Sequence, residues 1–317
     1  MSKVAVIGGS GNVGRTMVDA LKAHPDHTVI VFGRKLPKTQ DPEAPVVMVD
    51  YSDITGLVAV LEEHQIDTVI SCVVMNTEGS AAAQSSAITA ADKSSTTKRF
   101  LATNWATPSN DSKNPWGKCL AAAQAQLRET SLVWTEIATG YFSDFWGQPY
   151  IKSHMPPVRP GLEIKDRIAG IPGTGNEPVS FAYSLDVTRF IAEKLLFVPD
   201  AEWEPVSLIL GDRLTWNEFL ALAKEARGGE FDVRYDSVED LEAGNMRELP
   251  NHVESYMFFP KLALRGLYSA LCLLMAKGGF NYPLERSINA RKFPDFKMLT
   301  VKEMLQQTWG THREDAE

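Results

Sequence analysis

Apolar and polar positions alternate between two kinds of run along the first half of the chain. Lys3 to Gly8 (KVAVIG) is a short apolar run ending in glycine, and from Asn12 to His24 the residues Val13, Met17, Val18 and Leu21 recur at helical spacing. The pattern predicts strand, loop and helix. It then repeats, with strands at Thr28 to Phe32 (TVIVF), Val46 to Val49 (VVMV) and Asp67 to Val74 (DTVISCVV), and a helix at Leu57 to Gln65. Ser80 to Lys93 reads as a helix, Arg99 to Thr103 (RFLAT) as a fifth strand, Gly117 to Glu129 as a helix and Leu132 to Ala138 (LVWTEIA) as a sixth strand. Val/Ile runs without polar alternation indicate strands buried on both faces, hence a parallel sheet between helical layers with right-handed crossovers. The expected fold class is α/β, a doubly wound parallel sheet of Rossmann type.

From about Trp146 the pattern breaks into Pro/Gly-rich stretches, QPYIKSHMPPVRPG and then IPGTGNEP, where continuous helix is not possible. A first domain over residues 1–150 and a substrate-binding lobe over 151–317 are therefore expected. Ser184 to Phe197 returns to a helical pattern, capped by Ser184 or Asp186, and residues 184–200 are expected to pack back on the first domain. Further on, strand-like VSLIL and helices at Trp216 to Ala226, Val238 to Ala243 and Leu262 to Lys277 predict a smaller, mostly helical second lobe.

Composition narrows the partners. The 317 residues hold 32 Lys+Arg and 40 Asp+Glu, a net charge of −8, with 44% hydrophobic residues, which excludes a disordered chain. The acidic balance argues against nucleic acid and anionic membrane surfaces and leaves small molecules. The opening MSKVAVIGGSG has none of the parts of a secretory signal, and the apolar stretch Gly266 to Ala276 is far short of the roughly 20 residues that cross a bilayer. A cytoplasmic protein is expected, as a monomer or homodimer. Cys72, Cys119 and Cys272 form no CxxC pair and read as packed thiols, and the six histidines lack ligand spacing, so no metal is expected. Serine-hydrolase GxSxG and Walker-type GK[ST] motifs are absent.

The candidate chemistry starts in VIGGSGNVG, where Gly8, Gly11 and Gly14 stand between a predicted strand and the opening of a predicted helix. Glycines there let the chain turn tightly and bring N–H groups to a pyrophosphate at the positive end of the helix. Gly8, Ser10, Gly11, Asn12, Val13 and Gly14 are the candidate cofactor residues of this turn. Where an NAD-binding chain would carry an acid after its second strand, this one reads FGRK. Arg34 and Lys35 either pair with a 2′-phosphate, which favours NADP(H), or are solvated basic residues. Asp50, closing the third strand, either touches the adenine or forms a turn. Ser71, Cys72 and Val73 end the fourth strand and are expected to line the same crevice.

GGSGNVG, FGRK, VVMVDYSD, DTVISCV, TKRFLATNWA and FPDFKMLTVKEML, in that order, resemble the NmrA-like and isoflavone-reductase-like branch of atypical short-chain dehydrogenases/reductases. That branch includes plant isoflavone and pinoresinol-type reductases, fungal secondary-metabolism enzymes, and regulators that bind the nucleotide without turning it over. The usual Tyr-x-x-x-Lys pair is missing here, because Tyr141, Tyr150 and Tyr183 are followed four residues on by Phe145, His154 and Val187. The resemblance implies instead a lysine at the start of the helix before the sixth strand. Lys118 falls there, also within reach of the cofactor, with Lys113 a neighbour and a first-turn surface lysine the plain alternative. A catalytic lysine needs burial or a nearby cation, and Trp116 is the candidate for the first.

In the family the strand-five motif ends in a small polar residue, an acid and an aromatic. Here Thr103, expected beside the cofactor, Asn104 and Trp105 stand in those places, and the acid is lost. Asn104, Trp105, Tyr141, Phe142, Trp146 and His154 are the candidate substrate residues, the aromatics either walling a flat apolar ligand or forming core. The function expected is an NADPH-dependent reductase acting on an aromatic or polycyclic metabolite. The alternatives are a non-redox cyclisation or condensation with NADP(H) as scaffold, and a nucleotide-sensing regulator.

Overall fold

The computed structural model describes residues 2–75, 78–106, 115–156, 159–257 and 260–313, with the side chains of Pro115 and Trp116 excepted. The chain forms two compact units, Met1–Ala138 with Val187–Ile209, and Thr139–Asp186 with Leu210–Glu317. It thus leaves the first unit at the end of the sixth strand, and not near residue 150, and returns to it from Val187.

In chain order the first unit holds β1 (Ser2–Ile7), α1 (Asn12–Lys22), β2 (His27–Gly33), β3 (Val46–Met48), α2 (Ile54–Glu63), β4 (Thr68–Ser71), α3 (Glu78–Lys93), β5 (Arg99–Ala102), α4 (Pro115–Arg128) and β6 (Val133–Ala138). The second unit opens with β7 (Tyr141–Phe142), α5 (Asp144–Gly147), β8 (Leu162–Glu163), β9 (Ile168–Pro172) and β10 (Pro178–Ala182); α6 (Ser184–Glu193) then leads back and β11 (Val206–Leu208) joins the first sheet. That sheet has seven strands in the order β11-β6-β5-β4-β1-β2-β3, and each neighbouring pair is parallel. This is the doubly wound α/β arrangement expected, because parallel strands need crossover connections, which here are helices except for the loop from β2 to β3.

β11 corrects one expectation. The VSLIL segment belongs to the large sheet, where Ser207 stands opposite Ile137 of β6 and its hydroxyl accepts the Thr135 Oγ1 proton at 2.8 Å. Beneath the sheet a single core joins Ile7, Val69 and Phe100 of the strands to Leu61 of α2, Ile88 of α3 and Leu127 of α4. Phe100 is fully buried, and truncating such a side chain to alanine costs about 3–5 kcal/mol.

The second unit is less helical than its sequence predicts. It contains two three-stranded sheets, β12 (Asp212–Thr215) with β10 and β7, and β13 (Asp232–Asp236) with β9 and β8. Their strands are two to five residues long and carry Pro and Gly, as in IAGIP of β9, so no run is long enough to show a period of two. Helices α7 (Trp216–Arg227), α8 (Val238–Glu242), α9 (Pro250–Ser255), α10 (Lys261–Ala276), α11 (Ile288–Lys292) and α12 (Val301–Leu305) follow. A capping box between Thr215 and Glu218 starts α7, satisfying two of the free groups at that helix end. Among the described residues no helix is long and apolar enough to cross a membrane.

His252 of α9 is 1% exposed; its Nδ1 accepts the Leu249 N–H at 3.2 Å, and its Nε2 donates to the Arg159 carbonyl at 3.3 Å. Acceptance at Nδ1 requires the neutral ring, and burial pulls its pKa down to about 4, against the Arg159 carbonyl bond. The folded state therefore binds fewer protons than the unfolded one below about pH 6.5, so stability is whole above that value and falls as the pH drops towards 4. Unfolding measured by urea titration should lose about 3 kcal/mol over that window through this residue, and His252→Asn should flatten the loss. Identical pH slopes in the two proteins would remove His252 from the acid response.

Candidate functional site

The turn after β1 is shaped by contacts that admit no side chain. Gly8 has φ +74°, and a Cβ built there would stand 3.0 Å from the Cys72 carbonyl carbon and oxygen at the end of β4. A Cβ on Gly14 would collide with the Gly8 carbonyl oxygen. The turn is closed by the Gly11 N–H on the Gly8 carbonyl at 2.9 Å. Gly11 then opens α1 without a side-chain cap, and no acidic residue lies in the first turn. Elsewhere the chain does cap its helices, with Asp53 for α2, Thr215 for α7 and Thr300 for α12. The first N–H groups of α1 and the positive end of its dipole are thus left to an outside anion.

Arg34 and Lys35 follow β2 and are both exposed. Tyr51 lies beside them: its hydroxyl donates to the Phe32 carbonyl at 3.1 Å, burial pushes its pKa up, and the Arg34 charge opposes that shift. Sequence reasoning passed over this tyrosine, which neither spacing nor motif distinguishes. Asp50 is exposed and forms a turn, its Oδ1 accepting the Ser52 hydroxyl at 2.7 Å and the Ser52 N–H at 2.8 Å, and these bonds hold the carboxyl below its usual range.

At the ends of β4 and β5 the predicted residues are stitched to one another. Ser71 and Cys72 are buried and Val73 is half-buried; burial pushes the Cys72 thiol up, and the Ser71 Oγ has no hydrogen-bond partner among the described residues. Thr103 Oγ1 donates to the Val73 carbonyl at 2.9 Å, and the Thr103 N–H donates to Gln84 Oε1 at 3.3 Å. Trp105 has φ +56°, a left-handed conformation that costs a bulky residue about 1–2 kcal/mol. Two bonds hold it there, its N–H to the Ile137 carbonyl at 2.8 Å and its indole Nε1 to the Ser71 carbonyl at 3.2 Å.

Glu136 of β6, which sequence reasoning did not select, sits behind this turn. It is 2% exposed, and its two oxygens accept Asn104 Nδ2 at 2.7 Å and Gln124 Nε2 at 2.6 Å. Burial raises its pKa, against those two hydrogen bonds and the charge of Arg128. An acid inside the otherwise apolar VWTEIA run was the available signal, since an unpaired carboxyl there is costly.

Lys118 lies in the first turns of α4 and is exposed, so the enclosure its catalytic role requires is not supplied by the described residues. It lines a groove of about 310 Å³ between α3 and α4, with Met75, Ala81, Ala122 and Cys119. Lys113 and the Trp116 side chain lie outside the described residues.

The remaining candidates belong to the second unit. Trp146 is the clear correction: it has no exposed surface, its ring lies 5.1 Å from Phe219 and 5.4 Å from Trp216, and its Nε1 donates to the Leu162 carbonyl at 3.1 Å. It is core and forms no pocket wall. Tyr141 and Phe142 are each 7% exposed on β7, with Tyr141 edge-on to Phe145 at 5.4 Å, and His154 is half-buried. Among the described residues no cluster of three or more His, Cys, Asp and Glu is placed to hold a metal.

The structure thus brings Gly8, Arg34, Asp50, Ser71 to Val73 and Thr103 to Trp105 to one edge of one sheet, each at or just beyond the C-terminal end of a parallel strand. In open α/β sheets ligands bind at that edge. A family model for NAD(P)H-binding proteins matches residues 8–164. Oxidoreductase BOA1 of Botryotinia fuckeliana (strain B05.10) is 32% identical over 237 residues, which cover 72% of this chain and 77% of BOA1. Oxidoreductase swnN of Metarhizium robertsii (strain ARSEF 23 / ATCC MYA-3075) is 25% identical, with 98% of each chain covered. In fold the chain is similar to leucoanthocyanidin reductase from Vitis vinifera, solved as a binary complex with NADPH, with a TM-score of 0.71 at 18% identity over 98% of this chain and 100% of that one. The chain belongs to the NAD(P)H-binding, atypical short-chain dehydrogenase/reductase family and is an NAD(P)H-dependent oxidoreductase of that type.

Gly14→Ala tests the turn. A methyl driven into the Gly8 carbonyl should lower stability by about 1–3 kcal/mol in thermal melts and abolish NADPH binding in calorimetry. A variant that melts and binds like the wild type would show that the close approach is not required.

Proposed function

We propose that this chain is an NADPH-preferring reductase that delivers hydride to a C=C, C=N or benzylic C–O centre of a small aromatic or polycyclic metabolite. The observation that carries the reading is the uncapped start of α1 behind a turn that excludes side chains, with two exposed cations after β2 in place of an acid. The N–H groups of Asn12, Val13 and Gly14 bind the pyrophosphate, and Ser10 and Asn12 add side-chain donors. Arg34 presents a planar fork to the 2′-phosphate and Lys35 adds a point charge. Asp50 borders the adenine side, and Ser71, Cys72, Val73 and Thr103 line the crevice beyond the pyrophosphate. The reduced nicotinamide, when bound, supplies the hydride. Lys118 holds the proton that goes to the atom left negative by hydride addition, the far carbon or nitrogen of the double bond or the oxygen that departs from a benzylic C–O carbon, and is replenished directly from solvent because the side chain is exposed. Asn104 and Trp105 are the substrate contacts that the first unit supplies in this reading. The exposure of Lys118 also favours a second reading, in which NADP(H) is a scaffold for a non-redox cyclisation or condensation.

Two measurements test this. Arg34→Asp should weaken NADPH about tenfold or more while leaving NADH nearly unchanged, in fluorescence titrations; equal effects on both would remove the 2′-phosphate contact. With a panel of aromatic enones, cyclic imines and benzylic ethers, NADPH absorbance should fall in step with product, and Lys118→Met should lower kcat about a hundredfold at unchanged NADPH affinity. Product formed without loss of NADPH would favour the scaffold reading, and full turnover in Lys118→Met would end the lysine's role.

A further inference from the structure

The acid that the strand-five turn lacks stands on the next strand. Glu136 of β6 pairs in register with Ala102, the last residue of β5, and lies two residues in sequence from the end of its own strand. A carboxylate is an acceptor only, with two oxygens to offer, and here each oxygen takes one amide: Asn104 Nδ2 at 2.7 Å and Gln124 Nε2 at 2.6 Å. Gln124 is tied from behind as well, since its Oε1 accepts Arg128 Nη2 at 3.2 Å. Its amide cannot turn over without losing a partner at both ends. Donor direction therefore runs from Arg128 through Gln124 to Glu136, and from Asn104 to Glu136, so Asn104 must keep its NH₂ group turned inward.

The turn that Asn104 belongs to is one that needs holding. Trp105, next in sequence, sits at φ +56°, and its N–H bonds to the carbonyl of Ile137, the residue after Glu136. The sheet order also gives this turn a direction. β5 is two strands from β1 and β6 is three, on the side opposite β2 and Arg34, which at strand spacing is about 10–14 Å from the glycine turn. A dinucleotide with its pyrophosphate at the start of α1 and its adenosine half towards Arg34 extends its nicotinamide half this way.

We propose that Glu136 is a positioning residue for the nicotinamide half of the coenzyme: by accepting from Asn104 and Gln124 together, it fixes the Thr103–Trp105 turn against which that half rests. The proposal rests on the NADPH reading given above. Glu136 itself is enclosed and touches neither coenzyme nor substrate; it acts through Asn104.

Glu136→Gln keeps the size of the side chain but leaves one carbonyl oxygen for two amide donors, and because Gln124 is tied to Arg128, Asn104 is the group that must turn. Asn104→Asp combined with Glu136→Gln restores both bonds at position 136, since the new amide donates to the new carboxylate and accepts from Gln124. The probes are NADPH and 2′-phospho-ADP-ribose, which is the same nucleotide without nicotinamide, each titrated by calorimetry. Glu136→Gln should weaken NADPH about five- to tenfold and change 2′-phospho-ADP-ribose by less than about twofold. The paired variant should return NADPH to within about threefold of the wild type, and it carries the comparison if the single variant does not fold. Wild-type affinity in Glu136→Gln, equal losses for both probes, or a folded paired variant that still binds NADPH weakly would each overturn the proposal. A wild-type protein that binds neither probe would instead overturn the nucleotide reading.

Discussion

The close approach of α1 to the loop leaving β1 is the constraint from which the site follows. Gly14 rests on the Gly8 carbonyl oxygen, and Gly8 rests on the carbonyl of Cys72. Neither contact leaves room for a Cβ, so the positive end of the helix opens onto bare backbone at the centre of the sheet edge. Once that point is set, strand order distributes the rest: Arg34 and Asp50 to one side, Ser71 to Val73 and Thr103 to Trp105 to the other.

The two sides of the edge handle charge differently. Arg34 and Lys35 are exposed, where a cation is cheap to keep solvated and free to meet a phosphate, at a strength that salt screens. Glu136 is enclosed, and a carboxyl there is tolerable only because both oxygens are hydrogen-bonded. The exposed cations act by attraction, whereas the buried acid acts by geometry, fixing which way neighbouring amides point. The strain at Trp105 lies between them, held by bonds to β6 and β4.

How much of this the chain discloses depends on the range of the contacts. The strands from β1 to β6 are legible because each is a short, mainly apolar run bounded by turn residues, rich in Val and Ile in β1 to β4, and α1 shows helical spacing of its apolar residues. The glycine turn is legible for the same local reason, since the spacing of Gly8, Gly11 and Gly14 records the sterics directly. The second unit is not, because strands as short as Tyr141–Phe142 show no period, and pairing with β10 some forty residues away leaves no local mark. Trp146 illustrates the limit for side chains: an aromatic in a cluster reads equally as pocket or core, and only the rings of Trp216 and Phe219 decide for core. Glu136 is visible as an acid in an apolar strand, but its partners lie 32 and 12 residues away and belong to different elements. The position of Lys118 at the start of α4 is legible, and its exposure is not.

The central claim is that the first turn of α1 holds the diphosphate with the adenosine half towards β2. A crystal structure of the protein with NADP⁺ tests it most directly. The expected result is pyrophosphate oxygens within hydrogen-bond distance of the Asn12 and Val13 N–H groups and a 2′-phosphate beside Arg34. A nucleotide bound elsewhere, or lying with its adenosine over β5, would contradict it.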